Sequence, residues 1–339
     1  MTPLEKGQLS LRGFATTLTC VGLTIAALLA PTHAAAIGPY PDLGSCPVFP
    51  DPPAGLPANA PSLPSQAAWN QDISKAPVAR GSAATIAYVN AQGGDHLHPD
   101  FGSPRAYGFP YAVVGAGQPR LPIHYTAYGP ESDPGPFPIP TGAPVEGGAG
   151  SDGDRHVLVV DRSSCTLYEL YRAFFKGGPA RWNADSGARW DLRSTALRPD
   201  SWTSADAAGL PIFPGLVRYD EVAAGRLDHA IRVTFESTRD AWVHPASHCA
   251  GDSADRRAPA MGTRLRLKAS YGLGRFSGAA RTIAVALKRY GLIVADNGSN
   301  WFFSGTSDRR WDDESLNQLK RIPGSAFQVV KSAARPHAC

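Results

Sequence analysis

Apolar and polar positions along this chain alternate over short stretches far more often than they repeat at helical spacing. Residues 110–114 and 121–125 read as strands punctuated by glycine and proline. The clearest pair is 156–161 with 166–175, joined by the polar turn Arg162-Ser163-Ser164-Cys165, and this pattern predicts a β-hairpin. Further strands are expected at 188–192, 230–235, 241–243 and 263–269. Residues 292–295 and 301–303 flank Asp296-Asn297-Gly298-Ser299-Asn300, which has the composition of a hairpin turn. Helical patterns are few. One runs from Ser82 to Val89. A second starts after Ser277, with Ile283, Leu287 and Tyr290 on one face, Arg281, Lys288 and Arg289 outward, and Gly291 as the stop. A third, 312–321, has acids first, bases last and Pro323 beyond. The expected fold is mainly β, a β-sandwich or jelly-roll-like core with α-helical insertions in one domain over 81–332, with α+β as the alternative.

The first 36 residues do not belong to that pattern. Lys6 and Arg12 precede an uncharged run from 13 to 30, and small residues close the segment at Ala34-Ala35-Ala36. That order is the one a secretory signal peptide shows, and cleavage is expected after Ala36. The run contains four threonines and falls short of the roughly 20 apolar residues a spanning helix needs. No later apolar run is longer, so no stable membrane insertion is expected and the mature protein is expected outside the cytoplasm, extracellular or periplasmic. Ten prolines between Pro39 and Pro77 make 37–80 an extended arm packing on the domain, and 333–339 reads as a tail. Six more prolines between Pro130 and Pro144 exclude a regular helix there.

Charge adds only an exclusion. The chain carries 33 Lys and Arg against 29 Asp and Glu, a balance that gives no electrostatic case for nucleic acid. Four cysteines follow the leader: Cys46, Cys165, Cys249 and Cys339. Export permits disulfides, three pairings are open, and a Cys249–Cys339 link would fix a chain end. No C-x-x-C is present, and neither a metal nor a cofactor is expected. G-x-S-x-G, P-loop and G-x-G-x-x-G patterns are absent.

The chemistry must therefore come from polar residues in unusual places. Alternation puts Glu169 between Leu167 and Tyr171 on one face of its strand, where a carboxylate is costly unless paired or wet. Asp154, His156, Leu158 and Val160 share a face of the partner strand; with Val160 opposite Leu167, His156 approaches Glu169, whereas a one-residue slip offers Arg155 instead. Two such groups can serve as acid and base on a glycosidic bond, or merely neutralise each other. Asp220 and Glu221 suit a helix start as well as catalysis. His229 alternates with Ile231, Val233 and Phe235, as a hydrogen-bonded core histidine would. Arg155, Tyr171, Trp190, Trp202, Tyr219, Asp296 and Asn297 are candidate substrate contacts, the tryptophans because sugar rings stack on indole. His96, His98 and Asp100 are of metal-ligand type, yet Leu97 and Pro99 suit an ordinary turn.

Three stretches carry a resemblance. Residues 153–161 (Gly-Asp-Arg-His-Val-Leu-Val-Val-Asp), 202–222 (from Trp202-Thr203-Ser204-Ala205-Asp206 to Arg218-Tyr219-Asp220-Glu221-Val222) and 295–299 (Ala-Asp-Asn-Gly-Ser) resemble a group of secreted, mostly bacterial proteins. The similarity runs from about Cys46 to Val330 and implies no catalytic residue, because no activity is assigned to that group. The expected function is cleavage of an extracellular polysaccharide by acid/base chemistry around Asp154, His156, Glu169 and Glu221. The alternative is non-catalytic binding of a glycan or cell-envelope polymer at the same cleft.

Overall fold

In a computed structural model describing residues 38–48, 68–102 and 107–339, the first half of the chain supplies β1 (Tyr111–Val114), β2 (Ile123–Tyr125), β3 (Val157–Asp161), β4 (Thr166–Tyr171), β5 (Phe174–Gly177), β6 (Ala180–Ala184) and β7 (Ser186–Asp191). The second half supplies β8 (Ile231–Phe235), β9 (Ala241–Trp242), β10 (Arg264–Leu267), β11 (Leu292–Asn297), β12 (Phe302–Phe303), β13 (Phe327–Val329) and β14 (His337–Ala338). The helices are α1 (Ser82–Gln92), α2 (Tyr219–Ala223), α3 (Gly278–Arg289) and α4 (Asp313–Asn317). The leader expected over 1–36 and residues 49–67 of the arm lie outside the described residues.

The apolar run of β3 and β4 explains their place. Both strands are covered on two faces, so their sequence is nearly continuous in hydrophobicity rather than cleanly alternating. Leu158, Val160 and Leu167 pack with Trp190, Ile212, Phe213 and Leu216 on one side. Val157, Val159, Tyr168 and Leu170 pack with Phe137, Ile139 and Trp182 on the other. Each fully buried aliphatic or phenyl side chain contributes about 1.5–3 kcal/mol. The hairpin register is the expected one, with Val160 opposite Leu167. Four strands make this sheet in the order β1-β3-β4-β7, and β2-β6-β5 form a second, smaller one.

The largest core surrounds a five-stranded sheet, β12-β8-β11-β10-β13. Helix α3 follows Ser277 and buries Ala280, Ile283, Ala284 and Leu287 there, and Gly291 takes a φ of 75° where the helix ends. That conformation is strained for any residue with a Cβ, which accounts for glycine at the stop. The third expected helix forms as α4 followed by a 3₁₀ turn over Gln318–Arg321.

The chain is therefore mainly β, in mixed sheets. β1 with β3, β2 with β6 and β8 with β11 are parallel pairs. Parallel pairs need crossover connections that a stack of hairpins does not supply, and no closed barrel forms among the described residues. One local expectation is corrected. Residues 296–300 do not close a hairpin: β11 and β12 both pair with β8, which lies between them. The C-terminal segment 333–339 is held as expected by a Cys249–Cys339 disulfide, and β14 within it pairs with β9. The second disulfide, Cys46–Cys165, ties the arm to the turn of the β3–β4 hairpin. No helix among the described residues is long and apolar enough to cross a membrane.

Candidate functional site

Glu169 stands opposite Leu158 in the β3–β4 ladder, on the face that meets residues 205–216. It is fully buried, and its carboxylate accepts hydrogen bonds from the backbone N–H of Ile212 (3.0 Å), that of Phe213 (2.9 Å) and the Trp190 indole (3.1 Å). Burial pushes its pKa up to about 7, against the pull of the two backbone donors. Neither expected partner bonds it: although the register is the one that would bring His156 to Glu169, the His156 ring is taken by Glu146 and the Ala205 carbonyl. Arg155, at a φ of 52°, donates to the carbonyls of Ala149, Ser151 and Ala173 and lies over the Phe174 ring at 4.2 Å. Glu169 is thus a structural tether for the 212–213 turn, sealed from any substrate.

His156 sits two residues before Leu158 and is buried. Its Nδ1 meets Glu146 Oε2 at 2.5 Å and its Nε2 meets the Ala205 carbonyl at 2.9 Å. Both ring nitrogens face acceptors, so the imidazolium satisfies the site and the neutral ring does not. Burial pushes the pKa down, but the Glu146 carboxylate outweighs it and raises it to about 9. Glu146 in turn, although burial pushes it up, is held below the usual carboxylate range by His156.

A second charged group adjoins this pair. Arg232 of β8 is buried, donates to Asp206 Oδ2 from Nε (3.1 Å) and its terminal nitrogen (2.6 Å), and donates to Ser304 Oγ at 3.0 Å. The same terminal nitrogen lies 3.5 Å from Asp296 Oδ2. Asp296, at the end of β11, keeps 24% of its side chain exposed. Burial pushes its pKa up to about 7; Arg232 pulls it down and Asp206 pushes it further up. Asp154 is exposed on the same rim: its charge acts on His156, on Asp296 and on Tyr171, whose ring is tilted against the His156 ring at 5.5 Å. The arrangement is a buried cationic pair, His156 and Arg232, counterbalanced by Glu146 and Asp206, with one solvent-reaching acid poised near neutrality.

The remaining predicted residues fall elsewhere. Glu221 bonds Arg218 and lies 3.3 Å from His229 Nε2; burial pushes it up, but Arg218 and His229 bring it below its usual range. His229 Nδ1 hydrogen-bonds the Ala230 carbonyl, as the core reading predicts. Asp220 pairs with Arg310, which covers the Tyr219 ring at 4.2 Å. Asp220 and Glu221 lie in the first turn of α2, and their ion pairs fasten it to its neighbours. Trp190 is buried, Trp202 is half-buried beneath Arg198, and Asn297 bonds Thr238 and the Ala250 carbonyl. Trp69, Trp182, Trp242, Trp301 and Trp311 are also buried, so the indoles serve the core rather than a sugar platform. His96 and His98 each pair with a neighbouring aspartate and share no site.

Three members of the network escaped sequence reasoning: Glu146, Asp206 and Arg232. Arg232 carried a signal, a guanidinium between Ile231 and Val233 on an otherwise apolar strand. A cavity of about 830 Å³ lies elsewhere, lined in part by Arg239, His244, Arg256, Arg264 and Lys331, and contains none of the network residues. The network is the better candidate for chemistry because its surroundings push its carboxyls in opposite directions, Glu146 down and Asp296 up; the cavity has one carboxylate, Asp72, already paired with Arg289. Compared with known proteins, the chain matches no family model, no curated protein and no solved structure.

Proposed function

We propose that this is an exported acid/base enzyme acting on an extracellular or cell-envelope polysaccharide, with Asp296 as the proton donor and acceptor. The observation that carries the reading is Asp296 itself: a carboxyl that reaches solvent, has a pKa of about 7, and is backed by charges it cannot neutralise. A carboxylic acid still protonated near neutrality can protonate a leaving glycosidic oxygen, and a second carboxyl can activate water or stabilise developing positive charge. Asp154 is the second carboxyl at that rim. His156 and Arg232 hold the field steady, because each is fixed by its own carboxylate, half-buried Glu146 and buried Asp206. The three stretches behind the resemblance to secreted bacterial proteins supply Asp154 and His156, Asp206, and Asp296, which supports a shared site in that group. Two disulfides fit an exported protein.

The test is incubation of the mature protein with a panel of polysaccharides, scoring new reducing ends and binding. Product formation is expected, following an ionisation near pH 7, and Asp296→Asn is expected to lower it by about a hundredfold or more. Turnover that Asp296→Asn leaves intact defeats the assignment. A second reading, non-catalytic glycan binding, is favoured by the large cavity's lack of a carboxyl pair; it predicts binding without product.

A further inference from the structure

His337 is the best-anchored residue of its segment. β14 places it opposite Trp242, its ring lies flat on the indole at 4.0 Å and 5°, and Cys339 is bonded to Cys249 two residues later. The same tryptophan meets His244 edge-on at 5.1 Å, and the two imidazoles stand 5.7 Å apart. Asp200 arrives from a separate loop, which the Ser201 N–H fixes by donating to the Ser247 carbonyl at 2.7 Å. Its Oδ1 lies 3.6 Å from His244 Nε2, and one ligand atom from each of the three residues falls within 4.8 Å of the others.

We propose that Asp200, His244 and His337 bind one transition-metal ion, with Zn²⁺ the best fit. Two imidazoles and one carboxylate are a nitrogen-rich donor set that suits Zn²⁺ and not Mg²⁺ or Ca²⁺. Tetrahedral coordination at bonds of about 2.0–2.1 Å sets ligand atoms roughly 3.3 Å apart, which these solvent-facing side chains reach by small rotations. Among the described residues the three side chains have no hydrogen-bond or ion-pair partner other than one another, so closing on a metal takes none of them from a different partner. Three protein ligands leave a fourth position open. His244 and Pro336 also line the 830 Å³ cavity, where Arg239, Arg256 and Lys331 have no ion-pair partner among the described residues. An anion or water from that cavity completes the coordination and offsets the local positive charge.

Calorimetric titration of Zn²⁺ into the chelator-stripped, disulfide-intact mature protein tests this. One ion per chain is expected, weakened about tenfold or more in both His244→Ala and His337→Ala and unchanged in His96→Ala, with no comparable uptake of Mg²⁺. Thermal midpoints check that the variants fold; if a histidine variant does not, Asp200→Asn in its exposed loop gives the same reading. The proposal is overturned by absence of saturable uptake, or by uptake that the substitutions leave unchanged.

Discussion

Glu169 and Asp296 are pushed by burial to the same value, about 7, and yet do different things. Glu169 has no exposure and receives three N–H donors from two directions. Asp296 sits near a strand end with about a quarter of its side chain in solvent; its Oδ2 lies 3.5 Å from the Arg232 guanidinium and its Oδ1 accepts one backbone bond, from Asn297 at 2.8 Å. A perturbed carboxyl is therefore not in itself a catalytic one. What separates the two is access and saturation: Glu169 is sealed and holds three N–H donors, whereas Asp296 holds one and reaches solvent, where a proton can be exchanged.

The largest effect is expected from Glu169→Ala. Removing the acceptor strands two backbone N–H groups and an indole N–H in the core, each costing about 1–3 kcal/mol, so a loss of about 3 kcal/mol or more is expected in urea unfolding. A variant that stays within about 1 kcal/mol of wild type while losing activity would return Glu169 to the catalytic role.

A smaller effect comes from the pair behind Asp296. The folded pKa of His156 is raised from about 6.5 to about 9, so its stabilisation is complete below about pH 6.5 and lost as the pH rises through 9. A decline of up to about 3 kcal/mol is expected over that interval, with Glu146→Gln flattening it. Glu169 and Asp296 also favour their protonated forms in the fold, and their contributions are lost as the pH rises through 7. Comparing Glu146→Gln with wild type between pH 7 and 9 isolates the histidine. An unchanged slope would dissociate His156 from Glu146.

Smallest of all should be the effect of Asp296→Asn on stability. The substitution relieves repulsion from Asp206 and keeps an acceptor toward Arg232, so the unfolding free energy should move by no more than about 1 kcal/mol in either direction. A much larger loss would place Asp296 with Glu169 among the structural carboxyls.

Both carboxyls are visible in the sequence, Glu169 as a catalytic candidate and Asp296 as a substrate contact, but their surroundings are not. Alternation flagged Glu169 as anomalous, correctly, but the donors that satisfy it belong to Ile212 and Phe213, and no side-chain pattern announces a backbone N–H. Asp154, His156 and Asp296 were each singled out on separate grounds, and their convergence required the parallel pairing of β8 with β11 that strand patterns do not encode. Period two puts Arg232 on the face opposite Ile231 and Val233, and alternation cannot say that this face too is covered, which leaves Arg232 buried. Helix α3 was legible throughout, since its apolar stripe, basic last turn and terminal glycine are all local.

The path of the chain from β11 to β12 bears on how the protein folds. Asp296-Asn297-Gly298 is a strong local signal for closing 292–303 on itself, yet the native loop arches over the end of β8, with the Gly298 N–H donating to the Phe235 carbonyl. The early, cheap contact is thus a competitor of the native one. β8, some 60 residues earlier in the chain, must reach the gap before that hairpin closes or force it open afterwards, so this corner carries a built-in conflict between local preference and final topology. The acid at the rim owes its position to the outcome, because only the inserted strand brings Arg232 to Asp296.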